Sequence, residues 1–266
     1  MKHSIQGGKV YFIGAGPGDP ELLTLKGLRL LQQADVILHD RLVSEEILNY
    51  AKPEALIILT GKQKGGAKCT PQSAINDLIV AFALEGKNVA RLKGGDVSFF
   101  SNILDELEAV TANNIEFEMV PGVTAASGCA TYAGIPLTAR GYSTSVKFLT
   151  LHQTEILQSE NWKALTGKNE TLIFYMSASN TTYVTEQLLK YGAEEDLPVA
   201  VIEQGCTPAQ KEYFTDLKSA EKDFAGIVFK SPATIIVGRV VSLADKFKWF
   251  KAEENGIYFK ELNAVE

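Results

Sequence analysis

Short apolar segments alternate with amphipathic ones along the first half of the chain. Apolar runs that end in polar or glycine-rich turns predict strands at Lys9–Gly14, Val36–Leu38, Leu56–Leu59, Val89–Leu92 and Phe117–Val120. The runs are continuous rather than alternating, which is typical of strands that are buried on both faces of a parallel sheet. With helical segments between them, they predict the βαβ pattern of an open parallel sheet.

Two of the intervening helices have clear start signals. The first is expected to begin at Asp19, with Pro20 at the first helical position and an acidic first turn. Its leucines recur at helical spacing and are expected to face the sheet: Leu22, Leu25, Leu28 and Leu31. The second helix is expected to begin at Thr70-Pro71 and to stop at Gly86. Its apolar stripe consists of Ile75, Leu78, Ile79 and Phe82.

The second half of the chain follows a different pattern. Apolar runs predict four strands, at Val146–Leu151, Thr171–Tyr175, Val199–Ile202 and Thr234–Val237. One helix is predicted at about Thr182–Tyr191. Lys211–Leu217 and Ile227–Phe229 also have strand character, but loops rather than helices join them. We therefore expect a mixed second sheet.

Glycine, proline and small residues concentrate between Pro121 and about Ser143, and this composition favours a domain boundary. The predicted fold is α/β, with two α/β domains and an active-site cleft between them. We place an N-terminal parallel domain at residues 1–122, a C-terminal mixed-sheet domain at 123–250 and a charged tail at 251–266. A length of 266 residues suits either one large domain or two modest ones.

The composition argues against several classes of protein. The 26 Lys and Arg residues against 32 Asp and Glu residues give a net charge of −6, whereas phosphate-based binding of nucleic acid normally needs an excess of cations. The cysteines, Cys69, Cys129 and Cys206, are odd in number and far apart, so we expect neither disulfides nor a metal site. The polar start is unlike a secretory signal and the apolar runs are too short to span a membrane. We expect a soluble, cytoplasmic protein.

Glycine-rich turns follow three of the predicted strands. They are Gly14-Ala-Gly-Pro-Gly-Asp19, Arg91-Leu-Lys-Gly-Gly-Asp96 and Val120-Pro-Gly-Val-Thr-Ala-Ala-Ser127. Ligands of α/β proteins gather at such turns, although a plain tight turn or packing explains each motif taken alone. Asp19 stands where a dinucleotide fingerprint has its third glycine, and its charge would repel a pyrophosphate. A nicotinamide dehydrogenase is therefore not expected.

Ionisable side chains follow two further strands. Asp40 and Arg41 come after the second predicted strand, and Lys62 follows the third. An aspartate at the end of a strand inside a cleft is a candidate general base. A neighbouring aspartate and arginine often form only a surface pair, however, and such pairs contribute little.

Together the motifs resemble those of the tetrapyrrole methylases. The three glycine motifs are joined, in the same order and at family spacing, by further segments: Asp-Arg-Leu-Val-Ser at 40–44, Gly-Lys at 61–62, Pro-Gln-x-x-Ile-Asn at 71–76, Ala-Gly-Ile-Pro-Leu-Thr at 133–138, Phe-Tyr-Met at 174–176 and Val-Gly-Arg-Val-Val at 237–241. The resemblance covers about residues 9–250, and so many motifs in one order are very specific.

The resemblance implies a fold, a methyl donor and a reaction. Family members fold as two α/β domains, bind S-adenosyl-L-methionine (SAM) in the cleft between them and are usually homodimers. They transfer the methyl group to carbons of a reduced tetrapyrrole and release S-adenosyl-L-homocysteine. The motifs imply conversion of uroporphyrinogen III into precorrin-2 by two successive transfers, towards sirohaem or cobalamin. We also expect a stand-alone methylase, because a fused dehydrogenase–ferrochelatase module does not fit outside residues 9–250.

The resemblance also assigns site residues. Asp40 matches the proton acceptor of the family and Lys62 the proton donor, although Asp40 could instead orient the macrocycle through its pyrrole N–H groups. The implied SAM contacts are Pro17, Gly94, Gly95, Asp96, Phe99, Thr124, Ala125, Met176 and Gly205. Because the substrate is a polycarboxylate, an acidic protein must gather cations locally. Arg41 and Arg140 are the favoured residues, and the other nearby cations are Lys62, Lys64, Lys68 and Lys93.

Some segments depart from the family pattern, mostly on the tetrapyrrole side. The family continues Gly-Gly-Asp with Pro-Phe-Ile-Phe-Gly-Arg-Gly-Gly, whereas this chain has Val97–Ile103, with Phe99 in an aliphatic position. The loop at 63–69 and the segment Ala139–Gly141 also differ. Two alternatives therefore stay open: a methylase for a later precorrin or another acceptor, and a SAM-binding protein of low or no turnover.

Overall fold

Two five-stranded sheets organise the chain. The structure, a computed structural model, describes residues 7–60, 70–151, 159–253 and 258–259. They divide into two compact units, of which the first runs to Ala125 and includes Phe259, and the second comprises Ala126–Tyr258. Each unit combines one sheet with helices, so the predicted α/β class is confirmed.

The first sheet is entirely parallel, as predicted. Its strands are β1 (Val10–Gly14), β2 (Val36–His39), β3 (Leu56–Leu59), β4 (Val89–Lys93) and β5 (Phe117–Val120). They lie side by side in the order β3-β2-β4-β1-β5, and every pairing is parallel. The carboxyl ends of all five strands therefore lie along one edge of the sheet.

Helices cover both faces of the first sheet. They are α1 (Leu25–Gln33), α2 (Glu45–Leu48), α3 (Gln72–Leu84) and α4 (Ile103–Ala112). Successive residues of β1 enter opposite clusters: Phe12 packs with Ile79 of α3 and Val110 of α4, and Ile13 packs with Leu31 of α1. Burial on both faces explains the continuous apolar runs of the inner strands β1, β2 and β4, whereas the edge strands β3 and β5 are partly exposed.

The first helix begins later than predicted. Asp19 caps only a single 3-10 turn, Pro20–Leu22. Thr24 then caps α1, because its hydroxyl accepts a hydrogen bond from a backbone N–H one turn further on. The second cap changes the helical phase, so the predicted leucine stripe is partly wrong: Leu31 is buried, but Leu25 is 85% exposed.

The second sheet is mixed, as predicted. Its strands are β6 (Ser145–Thr150), β7 (Glu170–Tyr175), β8 (Pro198–Glu203), β9 (Lys211–Asp216) and β10 (Ala233–Val237). Their order is β6-β7-β10-β8-β9, with β6 and β7 parallel and the other pairs antiparallel. The helices are α5 (Ala125–Tyr132), α6 (Ser159–Lys163), α7 (Thr181–Lys190), α8 (Ala220–Asp223) and α9 (Ala244–Phe247). Within the described ranges, no helix is long and apolar enough to cross a membrane.

The strand predicted at Ile227–Phe229 is wrong. These residues pair with no neighbouring strand in the described part of the chain, yet their side chains alternate in burial. Val228 is 89% exposed, whereas the ring of Phe229 packs edge-on against Tyr213 and Phe224, with centroids 5.2 Å apart in each pair. The alternating pattern correctly reports which side chains are buried, but a strand also needs the backbone of a partner.

Candidate active site

Three glycine-rich loops meet where neighbouring strands of the first sheet end. Gly14 ends β1, Gly95 follows β4, and Gly122 follows β5. A Cβ atom on Gly122 would lie 2.3 Å from Gly95 O, and one on Gly14 would lie 2.6 Å from Gly122 N. Any side chain would clash at these distances, so only glycine lets the three backbones approach so closely.

A further glycine joins the first two loops. Gly16 N–H donates to Gly95 O at 3.0 Å, and Gly95 N–H donates to Gly16 O at 2.7 Å. Both residues have positive φ angles, 79° and 73°, in the left-handed region that favours glycine. A Cβ on Gly95 would meet nothing nearer than Ala125 N at 3.7 Å. The glycines thus shape the turns and also leave room beside Gly95.

Asp96 ties two of these loops together. It is 6% exposed, and its Oδ2 accepts a hydrogen bond from Gly122 N at 2.7 Å. Its Oδ1 accepts from Ser98 N at 2.8 Å and from the Ser98 hydroxyl. Both carboxylate oxygens are therefore engaged within the protein, and Asp96 fixes the loop after β4 against the loop after β5.

Asp40 comes directly after β2 and is held by a buried arginine. Arg91 Nη2 lies 2.5 Å from Asp40 Oδ1. The Arg91 side chain is 2% exposed, whereas that of Asp40 is 32% exposed. Arg91 also donates to the carbonyl oxygens of Leu38 at 3.4 Å and Leu92 at 3.1 Å. Asp40 is thus a partly exposed carboxylate at a fixed point of the sheet edge, and its role as a general base stays a prediction.

A buried glutamate on α4 holds Arg91 from the other side. Glu106 is fully buried, and its Oε1 accepts from Arg91 Nε at 3.1 Å and from Lys93 Nζ at 3.0 Å. Gln72 Nε2 on α3 lies 3.3 Å from the same oxygen. Asp40, Arg91, Lys93 and Glu106 form what we call the charge cluster. Its two cations balance two carboxylates, as buried charges require.

Lys93 is not available to bind an acidic substrate. Its side chain is 3% exposed and is paired with Glu106. Burial and the nearby Arg91 lower the pKa of Lys93, although Asp40 and Glu106 act in the opposite direction. The expectation that Lys93 helps to gather the carboxylates of the substrate is therefore wrong, because the charge cluster already holds its ammonium group.

Comparison with known proteins gives the chain a family. A profile described as Tetrapyrrole (Corrin/Porphyrin) Methylases matches residues 9–221, which is most of the chain. The chain belongs to the tetrapyrrole methylase family. The resemblance inferred from the ordered motifs is confirmed, and the two sheets described above are those of a tetrapyrrole methylase fold.

Individual relatives of this methylase are similar over nearly all of its length. A siroheme synthase of Ruthia magnifica subsp. Calyptogena magnifica is 45% identical over 248 residues, 93% of this chain and 52% of that protein. The chain thus spans about half the length of the curated relatives it matches. A uroporphyrin-III-C-methyltransferase structure from Thermus thermophilus is 35% identical with a TM-score of 0.76, covering 92% of this chain and 98% of that one. A structure of Uroporphyrin-III C-methyl transferase from Thermus thermophilus, complexed with S-adenyl homocysteine, is 32% identical with a TM-score of 0.74. It covers 89% of this chain and 100% of that one.

Most SAM contacts expected for the methylase lie in the first unit. The structure places five of them in the loops where β1, β4 and β5 end, and a sixth at the first residue of α5: Pro17, Gly94, Gly95, Asp96 and Thr124 in the loops, and Ala125 in α5. Phe99 lies further along the loop after β4 and is half-buried. The loops thus share one edge of one sheet, and their contact with SAM stays a prediction.

Two expected SAM contacts, Met176 and Gly205, belong to the second unit. They follow β7 and β8, which run in the same direction because both are antiparallel to β10, so both residues lie at one edge of the second sheet. Met176, Gln204 and Cys206 have φ angles of 52°, 47° and 62°, and such left-handed non-glycine residues are often found at functional sites. A Cβ on Gly205 would lie 2.3 Å from Cys129 Sγ, so packing requires glycine there.

The remaining cations of the methylase that were expected at the site differ in environment. Arg41 is half-buried, and burial lowers the pKa of its guanidinium below the ordinary value. Arg140 is exposed and belongs to the second unit. The other three lie outside the described residues: Lys62, which is the expected proton donor, Lys64 and Lys68.

Among the described residues, no group of three or more His, Cys, Asp or Glu could hold a metal ion.

Two residues of the charge cluster escaped the sequence interpretation. Arg91 was part of a motif but had no role, and Glu106 was not singled out. Each has a signal in the pattern: Arg91 interrupts an apolar strand, and Glu106 lies on one helical stripe with Ile103 and Val110. A charged residue on a buried strand or stripe indicates a buried ion pair, because such residues are rarely buried alone.

Proposed function

We propose that the chain is a SAM-dependent C-methyltransferase that converts uroporphyrinogen III into precorrin-2 by two successive methyl transfers, in sirohaem and cobalamin biosynthesis. One observation carries the proposal: the 35% identity and the TM-score of 0.76 to a uroporphyrin-III-C-methyltransferase, over 98% of that enzyme. The similarity to siroheme synthases supports the same branch of metabolism. As the family resemblance implies, we infer a cytoplasmic homodimer.

The residues proposed to contact SAM suit an adenosyl group. Gly94, Gly95 and Ala125 present backbone rather than long side chains, and the space beside Gly95 is open to 3.7 Å. Bound SAM supplies an electrophilic methyl group. The protein contributes rigidity, because the hydrogen bonds that Asp96 accepts and the close glycine contacts fix the loops. The rate of a displacement depends on the alignment of the reacting groups. The other proposed contacts are Pro17, Asp96, Phe99, Thr124, Met176 and Gly205.

Asp40 is the proposed proton acceptor and Lys62 the proposed donor. Once a carbon of the macrocycle has formed its new C–C bond, the ring system carries an extra positive charge and loses a proton, which Asp40 accepts. Two features support this role: the Asp40 side chain is 32% exposed, and Arg91 holds its Oδ1 in place. A fixed carboxylate within reach of the substrate accepts a proton without first reorienting.

Arg41 and Arg140 are proposed to bind carboxylates of the substrate. The chain as a whole carries a net charge of −6, so a polyanionic tetrapyrrole needs cations close to the site. A guanidinium can form two parallel hydrogen bonds to one carboxylate. Arg41 suits this role because it follows Asp40 in the chain and lies at the same edge of the first sheet.

The direct test is incubation of the purified chain with SAM and enzymatically prepared uroporphyrinogen III under anaerobic conditions. Mass spectrometry is expected to show a singly and then a doubly methylated product. Calorimetry with S-adenosyl-L-homocysteine, run in parallel, is expected to show binding. If that ligand binds but neither methylated product forms, the proposed reaction is refuted, and an acceptor other than uroporphyrinogen III, or binding without turnover, is favoured.

A further inference from the structure

The charge cluster contains more ionisable groups than one proton acceptor needs. Arg91 and Lys93 extend from the same face of β4, because alternate residues of a strand point the same way, and both reach Glu106. Glu106 is fully buried, and its Oε2 has no hydrogen-bond partner among the described residues. The reaction proposed above uses only Asp40 of this cluster, so the buried part has no assigned role.

Stability is a weak reason for such a cluster. Removing charged side chains from water costs free energy that their attraction recovers only with good geometry, and apolar residues of similar volume often serve as well. Here the contacts of Arg91 run from the buried Glu106 to the more exposed Asp40. Arg91 Nε lies 3.1 Å from Glu106, and Nη2 of the same planar group lies 2.5 Å from Asp40. One rigid guanidinium thus connects a buried carboxylate to an accessible one.

We propose that Glu106 is a positioning residue for methyl transfer: by fixing the plane of Arg91, it sets the orientation in which the Asp40 carboxylate meets the substrate. The inference rests on the proposed function, since it gives Glu106 a part in the same reaction. Gln72 supports the arrangement. Its Nε2 lies 3.3 Å from Glu106 Oε1 and 2.9 Å from Asn76 Oδ1, so the polar residues of the 71–76 motif link α3 to the glutamate on α4.

The test is a double-mutant cycle with Asp40 in the full chain, assayed with SAM and uroporphyrinogen III. Glu106→Gln is expected to lower kcat about tenfold and to change the KM for uroporphyrinogen III less than about twofold, because it disturbs alignment and not binding. In an Asp40→Asn background, the same change is expected to leave the residual kcat unaltered, since the carboxylate that Glu106 orients is gone.

Glu108→Gln is the matched control. It removes one carboxylate from the exposed side of the same helix, and it is expected to leave kcat unchanged in both backgrounds. A merely structural Glu106 gives a different result: Glu106→Gln then lowers kcat by the same factor with and without Asp40, or lowers Tm alone. Either result overturns the proposal.

The assay also separates failure of the proposed function from failure of this inference. If the unsubstituted chain forms no methylated product, the proposed function fails and this inference falls with it, whereas an active chain with an unaltered Glu106→Gln kcat refutes the inference alone.

If circular dichroism shows that Glu106→Gln does not fold, Gln72→Met takes its place, because it removes one hydrogen-bond donor to Glu106 without uncovering a buried charge. It is expected to lower kcat about threefold with Asp40 present and not without it, and an unchanged kcat overturns the proposal.

Discussion

At the scale of single residues, the shape of the candidate site depends on glycines, which have no Cβ atom. Gly14, Gly95 and Gly122 come from three segments far apart in the chain. A Cβ on Gly14 or Gly122 would clash with the backbone of a neighbouring loop, and Gly95 has a φ of 73°, which favours glycine. Asp96 adds a hydrogen bond between two of the same loops. The loops that carry the proposed SAM contacts of the first unit are therefore fixed by backbone contacts and by one buried carboxylate.

We expect Gly122→Ala to lower the free energy of unfolding by about 1–3 kcal/mol, the usual range for overpacking, because the new Cβ would meet Gly95 O at 2.3 Å. The control is Gly7→Ala, whose Cβ would have its nearest neighbour, Ala83 O, at 4.0 Å. Urea denaturation of both variants measures the difference. Equal losses, or none at Gly122, would contradict the packing argument.

Asp40→Asn keeps the size of the side chain and an acceptor for Arg91 but removes the base. If Asp40 accepts the proton, kcat should fall by about 100-fold or more, while the Kd for the tetrapyrrole stays close to that of the unsubstituted chain. Single-turnover kinetics and equilibrium binding separate the two quantities. Asp77→Asn, on the exposed side of α3, serves as the control. A parallel loss of turnover and binding would instead show that Asp40 orients the macrocycle.

At the scale of elements, capping residues determine where a helix begins, which the spacing of apolar residues alone does not show. The helix α3 follows its predicted stripe, with Ile75 and Ile79 buried, and ends before Gly86, whose φ is 82°. Around α1, two caps in succession compete, and the one at Thr24 starts the helix. Leucine spacing cannot show which cap begins the helix, although that choice decides which leucines are buried.

A pair of substitutions in α1 tests this assignment. Leu31→Ala is expected to lower the free energy of unfolding by about 2–5 kcal/mol, since it empties a buried position. Leu25→Ala, on the same helix, is expected to change it by less than about 0.5 kcal/mol, because Leu25 is 85% exposed. Chemical denaturation compares the two variants. A large loss at Leu25 would mean that the helix is phased as the simple leucine stripe predicts.

At the scale of the whole molecule, sequence reasoning succeeded where a pattern is repeated and failed where a single contact decides. The ordered motifs identified the family, and short apolar runs marked the five strands of the first sheet. The pairing of Arg91 with Glu106 was out of reach, because it depends on how α4 packs against β4. The same limit applies to charge: a total of −6 does not show that Lys93 is neutralised inside the protein by Glu106.

The glycine contacts also limit how this member of the tetrapyrrole methylase family could be redesigned. The contacts between these loops are made by backbone atoms, and a side chain at Gly14 or Gly122 would clash with the backbone of a neighbouring loop. New acceptor specificity must therefore come from side chains that the loops carry outward, such as Phe100, which is 39% exposed. A library confined to Phe100, within the segment that already departs from the family motif, would vary an exposed side chain and leave the glycine contacts and the proposed SAM contacts unchanged.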